Sequence, residues 1–239
     1  MDNRPIGVFD SGLGGLTVVK ELINQLPYES ITYFGDTGRV PYGTRSRETI
    51  IKYAVSDINF LMTQDVKAIV IACGTASSVA LDFVTEKYDI PIFGVVSSTA
   101  AEAARSTVNK RVGIIGTSGT VSSGSYEREL IKLDSEIKAF SMACPLFVSL
   151  VENGYTDNKV AYLVAEDYLL PLKESGVDTI ILGCTHYPLL KGVISDIMGE
   201  NVALIDSGKP MAEYVGGLLK GKDMRSEEHT SELQSPNTI

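Results

Sequence analysis

Tryptophan is absent from the 239-residue chain, and cysteine and histidine are scarce, at three and two residues. Three thiols cannot build a disulfide framework without a remainder. None stands in a C-x-x-C pair, so structural zinc and thioredoxin-like redox chemistry lack their ligands, and no metal is expected. Free thiols fit a reducing compartment. Long apolar runs are missing too: none approaches the roughly 20 residues that span a bilayer. The opening MDNRPIGVF lacks the basic region and apolar block of a signal peptide, which makes the cytoplasm the expected location and leaves no membrane partner. Basic residues are outnumbered, 21 Lys and Arg against 30 Asp and Glu, for a net charge of -9 without a basic stripe. That balance argues against nucleic acid as the main partner.

What the chain does have is 44% apolar content, enough for one large core or two modest ones. Short β-branched runs recur along it: PIGVF, ITYF, KAIVIA, PIFGVV, RVGIIG, IKAF, DTIIL and VALI. Runs of this length without alternation predict strands buried on both faces, and therefore parallel sheets covered by helices. Segments between them, such as Arg45 to Thr63 and Asn158 to Leu170, carry apolar residues at helical spacing. The expected class is α/β. The segment RSEEHTSELQSPNTI, residues 225–239, breaks this pattern, resembles a translated sequencing adapter, and is set aside as a non-native tail. It holds His229 and carries one Arg against three Glu, so the remainder has His186 as its sole histidine and a charge of -7.

The two halves echo each other. IGVFDSG near the start is similar to VGIIGTSG at Val112 to Gly119, and AIVIACGT at Ala68 to TIILGCTH at Thr179. Asp10 lies 63 residues before Cys73, and Thr117 lies 67 before Cys184. Two similar lobes are expected, 1–96 with 207–224 and 97–206, each presenting one cysteine at the C-terminal end of a strand, where open α/β sheets hold ligands. A thiol just before a helix feels the positive end of the peptide dipoles, which favours thiolate. His186, beside Cys184, could relay its proton, since imidazole titrates near neutrality. Cys144 has no matching partner and reads as core.

Asp10 ends the first strand, where it either caps the next helix or faces the cleft as an acid/base partner of Cys73. The loop DSGLGG that follows, with Asp36 further on, partly fits a dinucleotide fingerprint, but Thr17 stands where the third glycine belongs. GDTGRVPYGTRS, with Pro41, Tyr42 and Gly43, is a polar turn whose N–H groups suit a carboxylate. Glu152, at the end of an apolar stretch, would reach His186 if the lobes close on one another.

Taken together, GVFDSGLGGLTV, YFGDTGRVPYG, ACGTAS, GIIGTSGTV, ACPLFVSLVENG, GCTHYPLL and IDSG resemble, in order, the segments of the glutamate racemase family. The resemblance implies two α/β lobes facing across a cleft, assembly as a homodimer, and cofactor-independent interconversion of L- and D-glutamate for peptidoglycan. By the same resemblance Cys73 takes the α-proton of D-glutamate with Asp10 assisting, and Cys184 that of L-glutamate with His186 and Glu152. Ser11, Asp36, Pro41, Tyr42, Gly43, Thr75 and Thr185 match substrate-site positions. One departure falls among them: the family usually has Asn at Gly74. A lost hydrogen bond there would cost about 1–3 kcal/mol. Alternatives at this stage are a racemase of aspartate or a hydantoin, or a glutamate-binding protein with impaired turnover. The resemblance also implies further helices after Met224.

Overall fold

The computed structural model describes residues 1–226, so His229 and the rest of 227–239 lie outside the described residues. All eight apolar runs form strands. β1 (Ile6–Asp10), β2 (Ile31–Gly35), β3 (Ala68–Ile71) and β4 (Ile92–Gly94) make one sheet, in the order β2-β1-β3-β4. β5 (Arg111–Gly116), β6 (Lys138–Ala143), β7 (Thr179–Leu182) and β8 (Ala203–Ile205) make the second, in the order β6-β5-β7-β8. Every pairing is parallel. The internal echo in the sequence is therefore a repeat of topology, and the α/β class holds in both lobes.

Burial on both faces is confined to strands with neighbours on both sides. β1, β3 and β7 are buried along their whole length, while the edge strands β2 and β6 are half-exposed. β4 is shorter than its apolar run because Gly94 caps α4 (Val95–Ser106), which takes over Val95 and Val96. Tertiary packing overrides the strand preference of these β-branched residues: Val95 packs into the core of the first sheet and Val96 into that of the second. α4 is thus one of the two connections between the sheets.

The covering helices start where capping chemistry allows. α2 (Arg47–Met62) begins after Ser46, whose Oγ accepts the Thr49 N–H at 3.3 Å. α8 (Lys159–Glu174) begins after Asn158, whose side chain accepts the N–H groups of Val160 and Ala161 at 3.0 Å each. It runs on past the expected end at Leu170, with Pro171 inside its last turn.

The chain returns to the first sheet through α10 (Gly208–Gly221), which packs Met211, Ala212, Val215 and Leu219 against Val18, Val19 and Leu22 of α1 (Leu16–Gln25). Nearby, the fully buried Lys67 meets Glu29 at 2.5 Å and donates to the carbonyls of Asp2 and Met224 at 2.6 and 2.8 Å. Arg225 and Ser226, set aside with the tail on sequence grounds, are bonded to this group: the Arg225 carbonyl accepts the Asp2 N–H, and Ser226 Oγ donates to Glu29 at 2.8 Å.

Candidate active site

The C-terminal ends of β1, β3, β5 and β7 converge between the lobes. On the first lobe Cys73 caps α3 (Gly74–Lys87), its Sγ accepting the Ala76 N–H at 3.4 Å and lying 3.6 Å from Ser11 Oγ. Asp10, with no exposed surface, ends β1 beside it. Its Oδ2 accepts the Gly12 N–H at 3.0 Å, and its Oδ1 accepts the hydroxyl of Thr185 from the other lobe at 3.2 Å. Burial raises the Asp10 carboxyl above the ordinary range, against the opposing charge of His186 and the N–H groups of Gly12 and Gly15.

On the second lobe Cys184 Sγ lies 3.7 Å from His186 Nδ1, and His186 Nε2 lies 2.5 Å from Glu152 Oε1. Glu152 reaches His186, but the contact lies within one lobe and so does not depend on the lobes closing on one another. It ends α7 (Pro145–Glu152), which follows β6 in the same lobe as His186. Cys184 also differs from Cys73 in its setting. It precedes a short 3-10 turn, Tyr187–Leu190, and the next α-helix, α9 (Lys191–Met198), starts seven residues later.

The expected bias toward thiolate is not what the surroundings produce. Burial pushes the Cys73 thiol up to about 11, with the Asp10 charge adding to it and the Ala76 N–H opposing. Burial also carries Cys184 well above the ordinary thiol range, opposed by the backbone N–H of His186. Desolvation of a charged sulfur outweighs the few N–H groups at the end of α3. Cys144, fully buried in the second core, has no place in the cleft.

Both thiols line one cavity of about 20 Å³, together with Ser11, Pro41, Tyr42, Gly43, Gly74, Thr75, Thr185 and His186. Asp36 does not line it: its carboxylate sits behind the turn of residues 40–43 and accepts from the Tyr42 hydroxyl. Val40, Thr117 and Val148 line the cavity and were not singled out as site residues. Thr117 had a signal, since it holds in the second half the place that Asp10 holds in the first. Its Oγ1 lies 2.9 Å from Thr75 Oγ1 across the lobes.

A cavity of this size admits about one water. A dicarboxylic amino acid needs the lobes to part, and glycines set how closely they meet. A Cβ on Gly74 would fall 2.1 Å from the Gly183 carbonyl oxygen, and one on Gly43 would fall 2.5 Å from Thr117 Cβ. The Gly43 carbonyl accepts the Gly119 N–H at 2.9 Å. The loop after β1 behaves likewise: a Cβ on Gly14 would lie 2.5 Å from Thr185 Oγ1 and 2.9 Å from His186 Nδ1. The space that the dinucleotide reading assigned to phosphates holds side chains of the other lobe.

Two parallel-sheet lobes with corresponding strand order, each supplying a thiol to one small cavity, with His186 on its wall and Asp10 and Glu152 standing behind it, define a class of proteins built to work on a small molecule between two faces. The profile of the Asp/Glu/hydantoin racemase family matches residues 7–215, and the chain belongs to that family. Over 221 residues it is 49% identical to a glutamate racemase of Geobacter metallireducens, covering 92% of this chain and 82% of that one. A solved glutamate racemase isoform of Bacillus anthracis superposes with a TM-score of 0.92 at 41% identity, covering 95% of this chain and 85% of that one. The glutamate racemase of Francisella tularensis, solved in complex with D-glutamate, superposes with a TM-score of 0.88 at 43% identity, covering 94% and 84%.

Among the described residues no helix is long and apolar enough to cross a membrane, and no group of three or more His, Cys, Asp or Glu could hold a metal ion.

Proposed function

We propose that this chain interconverts L- and D-glutamate by proton transfer at Cα between two thiols, in the cytoplasm, supplying D-glutamate for peptidoglycan. The observation that carries the reading is the pair of thiols, one from each lobe, on a single cavity in a chain half identical to a glutamate racemase. Inverting a stereocentre through a carbanion needs one group to remove the α-proton from one face and another to supply a proton on the opposite face. Cys73, with Asp10 behind it, takes the proton of D-glutamate. Cys184, with His186 and Glu152 behind it, takes that of L-glutamate.

Burial raises both thiols, so each needs a neighbour to take its proton before it can act as a base. Asp10 and His186 are the neighbouring acceptors. The developing negative charge is met by fixed dipoles in a site closed to water, which is where such dipoles act most strongly. Ser11, Thr75 and Thr185 offer hydroxyls, and Pro41 to Gly43 with the Gly74 turn offer backbone to the two carboxylates. The lobes, 1–96 with 207–224 and 97–206, part to admit substrate and close to expel water. A homodimer is the assembly we infer from the family.

The test is solvent deuterium. With D- or L-glutamate in heavy water, deuterium should appear at Cα in the wild-type chain. Exchange that persists undiminished in both Cys73→Ala and Cys184→Ala sinks the two-thiol mechanism.

A further inference from the structure

Beneath the strap of residues 40–43 lies a group of charges that never meets the cavity. Arg39 Nε stands 2.6 Å from Asp36 Oδ2, and its Nη2 stands 2.6 Å from Asp57 Oδ1. The Tyr42 hydroxyl touches both acids, Asp57 Oδ2 at 2.8 Å and Asp36 more closely. Asp57 comes from α2, where it is fully buried on the same stripe as Ile50, Ala54, Ile58 and Leu61. An acid in an apolar stripe is costly unless paired, and an apolar side chain of similar size would fill the place at less cost. Here one guanidinium faces two carboxyls, and one phenolic proton faces two acceptors.

What Asp57 holds is the strap. Arg39 and Tyr42 flank Val40 and Pro41; residues 40–43 line the cavity, and the Gly43 carbonyl carries the hydrogen bond to Gly119 of the other lobe. We propose that Asp57 is a positioning residue for racemisation, fixing Arg39 and Tyr42 so that the strap presents its backbone to substrate and docks on the second lobe. Burial and the Asp36 charge push its carboxyl up to about 6, against the hydrogen bond of Tyr42 and the charge of Arg39. The proposal rests on the racemase reading for its activity readout but not for its structural one.

The test uses the full chain with Asp57→Asn, Tyr42→Phe and the double variant, each checked for folding by thermal melting. Amide hydrogen exchange over residues 37–45 reads the strap directly, and kcat and KM are taken for both enantiomers. Each single variant should speed strap exchange and lower kcat/KM in both directions on the order of ten- to a hundredfold, as a misplaced binding element does. Because Asp57 and Tyr42 hold one strap, the double variant should lose less than the product of the two single losses. Losses that multiply in the double variant, or wild-type strap exchange and kcat/KM in folded Asp57→Asn, overturn the proposal. Should Asp57→Asn fail to fold, strap exchange in Tyr42→Phe decides: faster supports the anchoring contact, unchanged refutes it. A wild-type chain without racemisation would sink the activity reading while leaving the strap measurement intact.

Discussion

The two lobes share strand order and cysteine position, yet they surround their thiols differently. Cys73 stands at the head of a true helix with a fully buried acid behind it, whereas Cys184 stands on a short turn backed by an imidazole and a carboxylate whose side chain is 44% exposed. The first arrangement is shut away from water, and the second leads toward solvent. A duplicated scaffold can therefore keep the geometry that inversion needs while its two halves diverge in how each proton is delivered.

Removing the sulfurs is the severest way to break that comparison. Cys73→Ala should lose Cα exchange with D-glutamate and keep it with L-glutamate, and Cys184→Ala the reverse, each loss on the order of 10²- to 10⁴-fold. Nuclear magnetic resonance of the α-proton in heavy water reads both, and a loss that ignores the enantiomer would show that the halves are not separate bases.

Thiol titration comes next. A raised thiol pKa means less thiolate at neutral pH, and the thiolate is the form that is alkylated. With Cys73 pushed up to about 11, its iodoacetamide labelling should still climb about tenfold per unit from pH 7 to 9. Peptide mapping should find Cys73 modified ahead of Cys184, which burial raises further. A plateau by pH 8 would mean that the dipole of α3, and not desolvation, governs Cys73.

Weakening the relays sharpens the contrast. Glu152→Gln should slow Cα exchange of L-glutamate in heavy water more than that of D-glutamate, about ten- to a hundredfold, while Asp10→Asn does the opposite. Equal effects on the exchange of both enantiomers would merge the two paths. The smallest effect concerns closure: Gly74→Ala must displace backbone at Gly183, so it should cost about 1–3 kcal/mol of closed-form stability and lower the melting temperature. Unchanged melting would mean that the contact carries no weight.

Much of this was legible in the residues. All eight strands could be read from runs such as RVGIIG because an unbroken β-branched run has few places to go except between two layers of helix. Cys73, Cys184 and His186 were found as motifs and line one cavity, while Asp10 and Glu152 stand behind its wall. Thr117 was within reach through the repeat with Asp10. Asp57 was not, because a lone acid in a helix reads as solvated, and only the fold turns that face inward against Tyr42. The upward push of burial on both thiols was hidden for a related reason: a helix terminus can be seen in sequence, whereas the water removed by the facing lobe cannot.

By itself the sequence determined the class, the strands, the repeat and the chemical types placed at strand ends, because periodicity, glycines and caps act over a few neighbouring residues. Tertiary structure alone decided that Asp10 bonds to Thr185, that Gly74 rests on Gly183, that Glu152 finds His186 within its own lobe and that both sulfurs are buried. Those outcomes depend on distances and desolvation between segments more than 30 residues apart in the chain, which local pattern does not encode.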